Sequence, residues 1–413
     1  MITLLIGFLF IGIVVFPKEH INNEREKTQS SVPLKDFAKV AETKKITEKE
    51  TEITSAITTN AVQQKQANNN PVEQYKIKAK SQALVELKQN EKKIISSIVQ
   101  KQIVSPAKNK EDEELRERAY NSVKLAVGYI NLYYSKNDYK NFLDWPAVAI
   151  FSAERNSSSI NNKKALAWKE QEIKEGNDFN PSRATDYQRT IIGILSVGGN
   201  PRAFSERNLV EAVLKSQMSS GKFADTIEGK GERLVNSHIW GIISLYSAGE
   251  KIPNPEGAYN WLVSKQNSDG GFGIFTGAKS DLDMTSMALT AFSALGRKPS
   301  DKYVFKAMEF IKSRQTKTGG FEIFGQENPD TASTVVQGLV ALGINPVSKE
   351  WVKVNDKNMI DFIMSFQLSD GGFSHIRGGE ADMLATTRAL TALADYYNSK
   401  SVYNLIRENR DSK

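Results

Sequence analysis

Carboxylates, cations and tryptophans recur in this 413-residue chain where its most apolar helical segments begin. Asp144 and Trp145, Asp186 and Arg189, His238 and Trp240, Asp283 and Thr285, Asp330 and Ser333, and Thr386 and Arg388 each stand at or near such a start. Gathered at one mouth, they supply hydrogen-bond acceptors, guanidinium donors and flat aromatic faces, a mixture suited to a sugar, a peptide or a lipid headgroup. Two carboxylates, Asp186 and Asp330, are also candidates for acid–base work on a glycosidic bond, where their separation would decide the outcome. Each residue equally admits a plain structural role. Carboxylates such as Asp283 and Asp330 cap helices, tryptophans fill cores, and a single histidine such as His238 packs inside or at a rim.

Composition removes several other chemistries. The chain has no cysteine, so disulfides, thiolate metal sites and thiol nucleophiles are excluded. Three histidines (His20, His238 and His375) are too few for a multi-histidine metal centre, and neither metal nor cofactor is expected. The net charge of +7 is unevenly placed. Residues 17–110 hold 18 Lys/Arg against 11 Asp/Glu, whereas residues 111–413 hold 37 of each. A neutral C-terminal region gives no electrostatic footprint for nucleic acid.

The elements that must position these residues follow from periodicity. Residues 2–16, "ITLLIGFLFIGIVVF", are unbroken in apolar character, short for a spanning helix and long enough for an export signal. Residues 1–17 are read as an uncleaved signal that anchors the chain to a membrane, with a cleaved signal peptide as the alternative. Either places the remainder outside the cytoplasm. Residues 18–110 read as a basic, low-complexity linker with a helix over 75–104. From 111 to 413 the texture is amphipathic segments of 12–20 residues, with candidate helices near 113–135, 145–155, 161–174, 185–196, 206–218, 235–247, 255–266, 284–295, 301–315, 331–342, 356–367 and 384–397, and a short one near 400–409.

A repeat organises that region. Gln217, Gln266, Gln315 and Gln367 are 49, 49 and 52 residues apart and head "QMSSGKF", "QNSDGGF", "QTKTGGF" and "QLSDGGF", all Gln-x3-Gly-x-Phe. The helix behind each turn is small and apolar on nearly all sides, as an inner helix must be, while the helix before it carries a polar face. Six such hairpins predict an all-α fold, an (α/α)6 toroid of six inner and six outer helices. In it the glutamine amide satisfies backbone groups at neighbouring helix ends, and Phe272, Phe321 and Phe373 plug the seams. The second glycine of each pair, Gly271 and Gly320, is expected at positive φ.

Gln-x3-Gly-x-Phe resembles the QW repeat of squalene–hopene cyclases, with Phe in place of Trp. Residues 113–397 look like the superfamily of terpenoid cyclases, protein prenyltransferase β subunits, transcobalamin-like carriers and complement thioester domains. The likeness is strongest over 206–397, with "DWPAVAIFSAER" and "TDYQRTIIGIL" as diverged first repeats. Class II cyclases use Asp-x-Asp-Asp, whose middle aspartate protonates an alkene or epoxide. "DLDMTS" resembles it, with Asp281 and Asp283 at the first two aspartates and Met284 at the third, which implies Asp283 as Brønsted acid. The prenyltransferase and thioester branches need a cysteine that this chain lacks. The vitamin carriers clamp their ligand with a second β domain, and no β-rich segment follows Tyr397.

The expectation is therefore a tethered, exported binding module. It takes a small molecule, lipid or cell-envelope glycan at the toroid mouth, through Asp144, Trp145, Asp186, Arg189, His238, Trp240, Asp281, Asp330 and Arg388. The alternatives are a single-domain cyclase acting through Asp283 and a carboxylate-dependent carbohydrate-active enzyme.

Overall fold

The computed structural model describes residues 110–155, 162–176 and 179–411. The expected anchor over 1–17, and the linker with its helix over 75–104, lie outside the described residues. Among the described residues no helix is long and apolar enough to cross a membrane.

Thirteen α-helices are found among the described residues. Six form the outer layer: α1 (Lys110–Lys136), α3 (Asn162–Glu175), α5 (Leu209–Lys215), α7 (Pro255–Ser264), α9 (Lys302–Lys312) and α11 (Met359–Met364). Six alternate with them as the inner layer: α2 (Pro146–Glu154), α4 (Ala184–Ser196), α6 (Val235–Ser247), α8 (Leu282–Ala294), α10 (Pro329–Ala341) and α12 (Met383–Asn398). Each inner helix packs on the next, and α12 packs back on both α2 and α1, so the ring closes. The inner helices are buried almost all round; in α6 every residue but one is buried. Several outer helices are shorter than their periodicity predicts, because α5, α9 and α11 stop where the glutamine turn begins.

Two short antiparallel hairpins interrupt the all-helical pattern: β1 (Glu322–Ile323) with β2 (Gln326–Glu327), and β3 (Phe373–Ser374) with β4 (Ala381–Asp382). Arg377 donates to Glu327 and ties one to the other. The last helix, α13 (Val402–Asp411), packs on α2, α4 and α6. It is bonded to the final turn of α6: Tyr246 donates to Asn404 Oδ1 (2.9 Å), and Arg407 donates to the Tyr246 carbonyl (2.8 Å). It therefore covers the end of the ring at which the inner helices finish.

The repeated turn is a staple between hairpins. Gln217, Gln266, Gln315 and Gln367 each donate to the carbonyl of their own turn glycine, at 2.7–3.0 Å. Each also donates to a backbone carbonyl of the next outer segment, at Asn254, Tyr303, Trp351 and Ser122 respectively. The last of these joins residues 245 apart and fastens the final repeat to the first helix. The phenylalanines are fully buried. Three of the four amides are held by the fourth residue of the following inner helix: Phe223 N–H by His238 Nδ1 (3.0 Å), Phe272 by Thr285 (2.9 Å) and Phe373 by Thr386 (2.8 Å).

The glycine expectation needs correcting. Positive φ belongs to the glycine four residues after each glutamine, Gly221, Gly270, Gly319 and Gly371. Gly271 and Gly320 are required for space instead: a Cβ on Gly271 would stand 2.5 Å from Ser280 Cβ, and one on Gly320 2.3 Å from the Phe362 ring.

Candidate functional site

Successive inner helices run the same way, because an outer helix of opposite direction separates them. Their first turns therefore share one end of the ring, and helical register decides which side chains face inward. Arg388, the sixth residue of α12, sets that register. It reaches past α10 to α8, with Nη1 3.6 Å from Asp283 Oδ2 and 3.8 Å from Asp330 Oδ2. Asp283 and Asp330 are the second residues of α8 and α10. The second residue of α6 is Asn236, and its sixth is Trp240. Trp240 meets Trp145 of the α2 start across α4, with ring centroids 5.2 Å apart, and Tyr403 of α13 at 6.1 Å.

Three consecutive inner helices thus present an oxygen-bearing side chain at the same position. Asn236 Oδ1, Asp283 Oδ1 and Asp330 Oδ1 are all buried and receive no hydrogen bond from any described residue. Asn236 and Asp330 are each only 3% exposed. A buried acceptor left without a donor is costly, and native folds keep few of them. Three in one register form a feature of the mouth.

Two further groups complete this side. His375, on the β3–β4 hairpin, has Nδ1 2.8 Å from Asp330 Oδ2, and that hydrogen bond lifts its imidazole above the ordinary histidine value against partial burial. Asp281 caps α8, accepting Met284 N–H at 2.8 Å. Burial, and then the neighbouring Asp283 carboxylate, push Asp281 up to about 6.

The opposite side is a closed ion network. Buried Lys169 of α3 lies 3.0 Å from both Asp144 and Glu172, and Arg189 Nε is 3.2 Å from Asp144. Asp186 accepts Asn180 N–H (2.8 Å) and lies 3.8 Å from Arg189. Burial alone would raise the Asp144 carboxyl, but Arg189 and Lys169 outweigh it and hold it below the usual carboxylate range.

With this geometry in place, the comparison with known proteins is informative. The profile of the prenyltransferase alpha-alpha toroid domain matches residues 145–322 and 284–408. The chain belongs to this family. A drimenyl diphosphate synthase from Streptantibioticus cattleyicolor is 28% identical over 142 residues, which are 33% of this chain and 26% of the synthase. The match thus spans about a quarter of that relative's length. A variant of the type II terpene cyclase MstE from Scytonema, solved with geranylgeranyl dihydroxybenzoate, superposes with a TM-score of 0.50 at 11% identity, over 70% of this chain and 99% of the other. At that identity the likeness is one of fold.

Within this prenyltransferase-type toroid the sequence candidates separate into groups. Asp281, Asp283, Asp330 and Arg388 come together. Asp144, Asp186 and Arg189 form the second network, and Trp145 and Trp240 stack between. Asp186 and Asp330, expected as a pair, are engaged with different partners. The caps of α8 and α10 are Asp281 and Asn328, not Asp283 and Asp330, because capping falls one residue ahead of the first helical residue. Asp283 and Asp330, inside the first turn, are left to face Arg388.

His238 is not at the mouth. It is fully buried, with Nδ1 accepting Phe223 N–H and Nε2 3.0 Å from the Ala258 carbonyl. Burial, and then Lys222, depress it from 6.5 to about 3. The unfolded chain takes up a proton near pH 6.5 and the folded one does not. Stability from the neutral ring is therefore complete above pH 6.5 and lost as pH falls towards 3, by up to roughly 1.4 kcal/mol per pH unit. His238→Thr, the residue used at this position in α8 and α12, is expected to flatten the acid limb of a stability–pH profile between pH 6.5 and 4.5. An unchanged limb would mean that the buried ring is not its source.

Sequence reasoning missed Asn236, His375, Lys169 and Tyr403. Asn236 was findable by aligning the repeats, since it occupies the place of Asp283 and Asp330. His375 reaches the mouth through a hairpin with no strand-like run to announce it.

Proposed function

We propose that the toroid is a binding module that takes a polar, hydrogen-bonding ligand at the mouth formed by α6, α8, α10 and α12. The observation that carries this reading is the row of buried acceptors at Asn236, Asp283 and Asp330, beside the donor Arg388. One and two turns further along the same faces stand Met287 and Thr290 on α8, Thr334 and Gln337 on α10, and Thr391 on α12. A hydroxylated ligand, such as an oligosaccharide of the cell envelope, meets hydrogen-bonding groups there and aromatic faces at Trp145 and Trp240. Export and tethering by residues 2–16 belong to the same proposal.

One observation favours a second reading, a class II cyclase. Asp283 Oδ1 is buried beside Asp281 and has no hydrogen-bond partner among the described residues, so this carboxyl is placed to face a double bond in the role of the acid. The likeness to a drimenyl diphosphate synthase supports the same reading.

Asn236→Leu separates the alternatives. Removing an orphan acceptor is expected to leave the unliganded melting temperature unchanged or higher while abolishing the thermal shift given by polar ligands, a trade expected where a site stores cost for binding. A panel of oligosaccharides, polyols and linear isoprenoids, followed by thermal shift and native mass spectrometry, supplies the readout. Cyclised product from an isoprenoid, lost in Asp283→Asn, would replace the binding reading with the enzymatic one.

A further inference from the structure

The mouth holds more negative than positive charge, and this specifies its ligand beyond polarity. The elements packed around it supply few charges: α8 brings Asp281 and Asp283, α10 brings Asp330, α12 brings Arg388 with Asp382 at its cap, the β3–β4 hairpin brings His375, and α6 brings only the uncharged Asn236 and Trp240. Arg388 is shared between two carboxylates at 3.6 and 3.8 Å, longer than the direct contact a dedicated pair makes. An acidic cluster alone would mean little. Here Asn236 and Asp330, both more than nine-tenths buried, also carry oxygens with no donor and share the inward register. The aromatic faces of Trp145 and Trp240 lie along the same inner wall.

We infer that the mouth selects a ligand carrying a positive charge, an amine or ammonium group set among hydroxyls. The nitrogen supplies donors to the acceptor row at Asn236, Asp283 and Asp330, and its charge offsets the carboxylates that Arg388 leaves uncompensated. An anionic ligand of the same shape is rejected, because it adds charge to a mouth that already has an excess of that sign. This deepens the binding reading and rests on it.

The same groups set the pH dependence. Asp281, pushed up to about 6 by burial and by Asp283, loses its proton as pH rises through that value. His375, raised by its bond to Asp330, loses its own at a higher pH than an ordinary histidine. Both changes make the mouth more negative. Affinity for an amine therefore rises with pH for as long as the amine itself stays protonated, as an aliphatic amine does to beyond pH 8.

Three probes of one carbon skeleton test this: glucamine (cationic), sorbitol (neutral) and gluconate (anionic), titrated calorimetrically into the full chain. The expected result at pH 7.5 is a Kd for glucamine about tenfold below that for sorbitol, as a charge pair a few ångströms apart in a partly hydrated site provides. Gluconate is expected not to bind. The glucamine advantage should shrink below about threefold at pH 5.5 and in high salt. Asp330→Asn should bring the glucamine and sorbitol Kd values within about twofold of each other; if that variant melts early, Asp283→Asn makes the same measurement. Equal affinity for glucamine and sorbitol, or tightest binding of gluconate, would overturn the charge inference and leave the mouth itself standing, provided Asn236→Leu still abolishes binding. Failure of all three probes at both pH values would overturn the polar-mouth reading and this inference together.

Discussion

Replacing Lys222 by methionine is expected to destabilise the toroid by about 3 kcal/mol, read as a lower urea midpoint at unchanged slope. The Lys222 ammonium is fully buried and surrounded by oxygen. Its three N–H donors share four oxygens, Asp225 Oδ1 (2.6 Å), Phe223 O (2.7 Å), Gly231 O (3.2 Å) and Ser237 Oγ (3.2 Å). Burial holds it below the ordinary lysine value despite Asp225. Asp225 in turn receives Arg233 N–H, Leu234 N–H and the Ser237 hydroxyl, so one ion pair organises the loop from 222 to 237 and the start of α6. Methionine keeps the volume and strands Asp225. Breaking one side of a largely buried pair is far costlier than replacing both, so a double change of Lys222→Met with Asp225→Leu should recover part of the loss. A loss below about 1 kcal/mol for the single change would show that the loop is held by its backbone alone.

Gly319→Ala should cost about 4 kcal/mol, and Gly343→Ala about 1 kcal/mol, although both alter one methyl group at positive φ. The φ values are +88° and +76°. At Gly343 nothing lies within 4 Å of an added Cβ, so only backbone strain is introduced. At Gly319 the Cβ would stand 2.7 Å from Asn358 N and 2.8 Å from Asn358 O, the backbone that caps α11. That backbone cannot move without loosening the start of the next outer helix. Calorimetric melting of the two variants separates strain from collision. Equal losses would mean that the staple gives way easily and that neighbouring hairpins are held together elsewhere.

Much of the architecture was legible because it repeats. Four glutamines at nearly constant spacing fix the hairpin period, and the small, apolar inner helices identify themselves by lacking a polar face. The helices expected between 113 and 409 are all present, shortened at α5, α9 and α11 where the turn takes over the last residues. The candidate site was less legible, since it departs from the repeat by single substitutions within it. Asn236, Asp283 and Asp330 share a register visible only when the repeats are aligned on their helix starts. Capping was misplaced by two residues, at Asp283 and Asp330, for the same reason. The Lys222 network was hidden in plain composition: the repeat has glycine at that place in Gly271, Gly320 and Gly372, and only the folded loop shows what the lysine side chain does.

The bond from Gln367 to Ser122 and the packing of α12 on α1 also bear on how this chain can change over time. An open solenoid tolerates gain or loss of a repeat at either end, because each unit touches only its neighbours. A closed ring has no end at which to add one. Duplicating or deleting a hairpin would leave a gap or a surplus that no local adjustment absorbs, so copy number is frozen at six. Variation in length is then confined to the connections, such as the long loop ordered by Lys222 and the paired hairpins around Glu327 and Arg377. Those connections lie beside the mouth, so the parts of the molecule free to vary are the ones that border the proposed binding site.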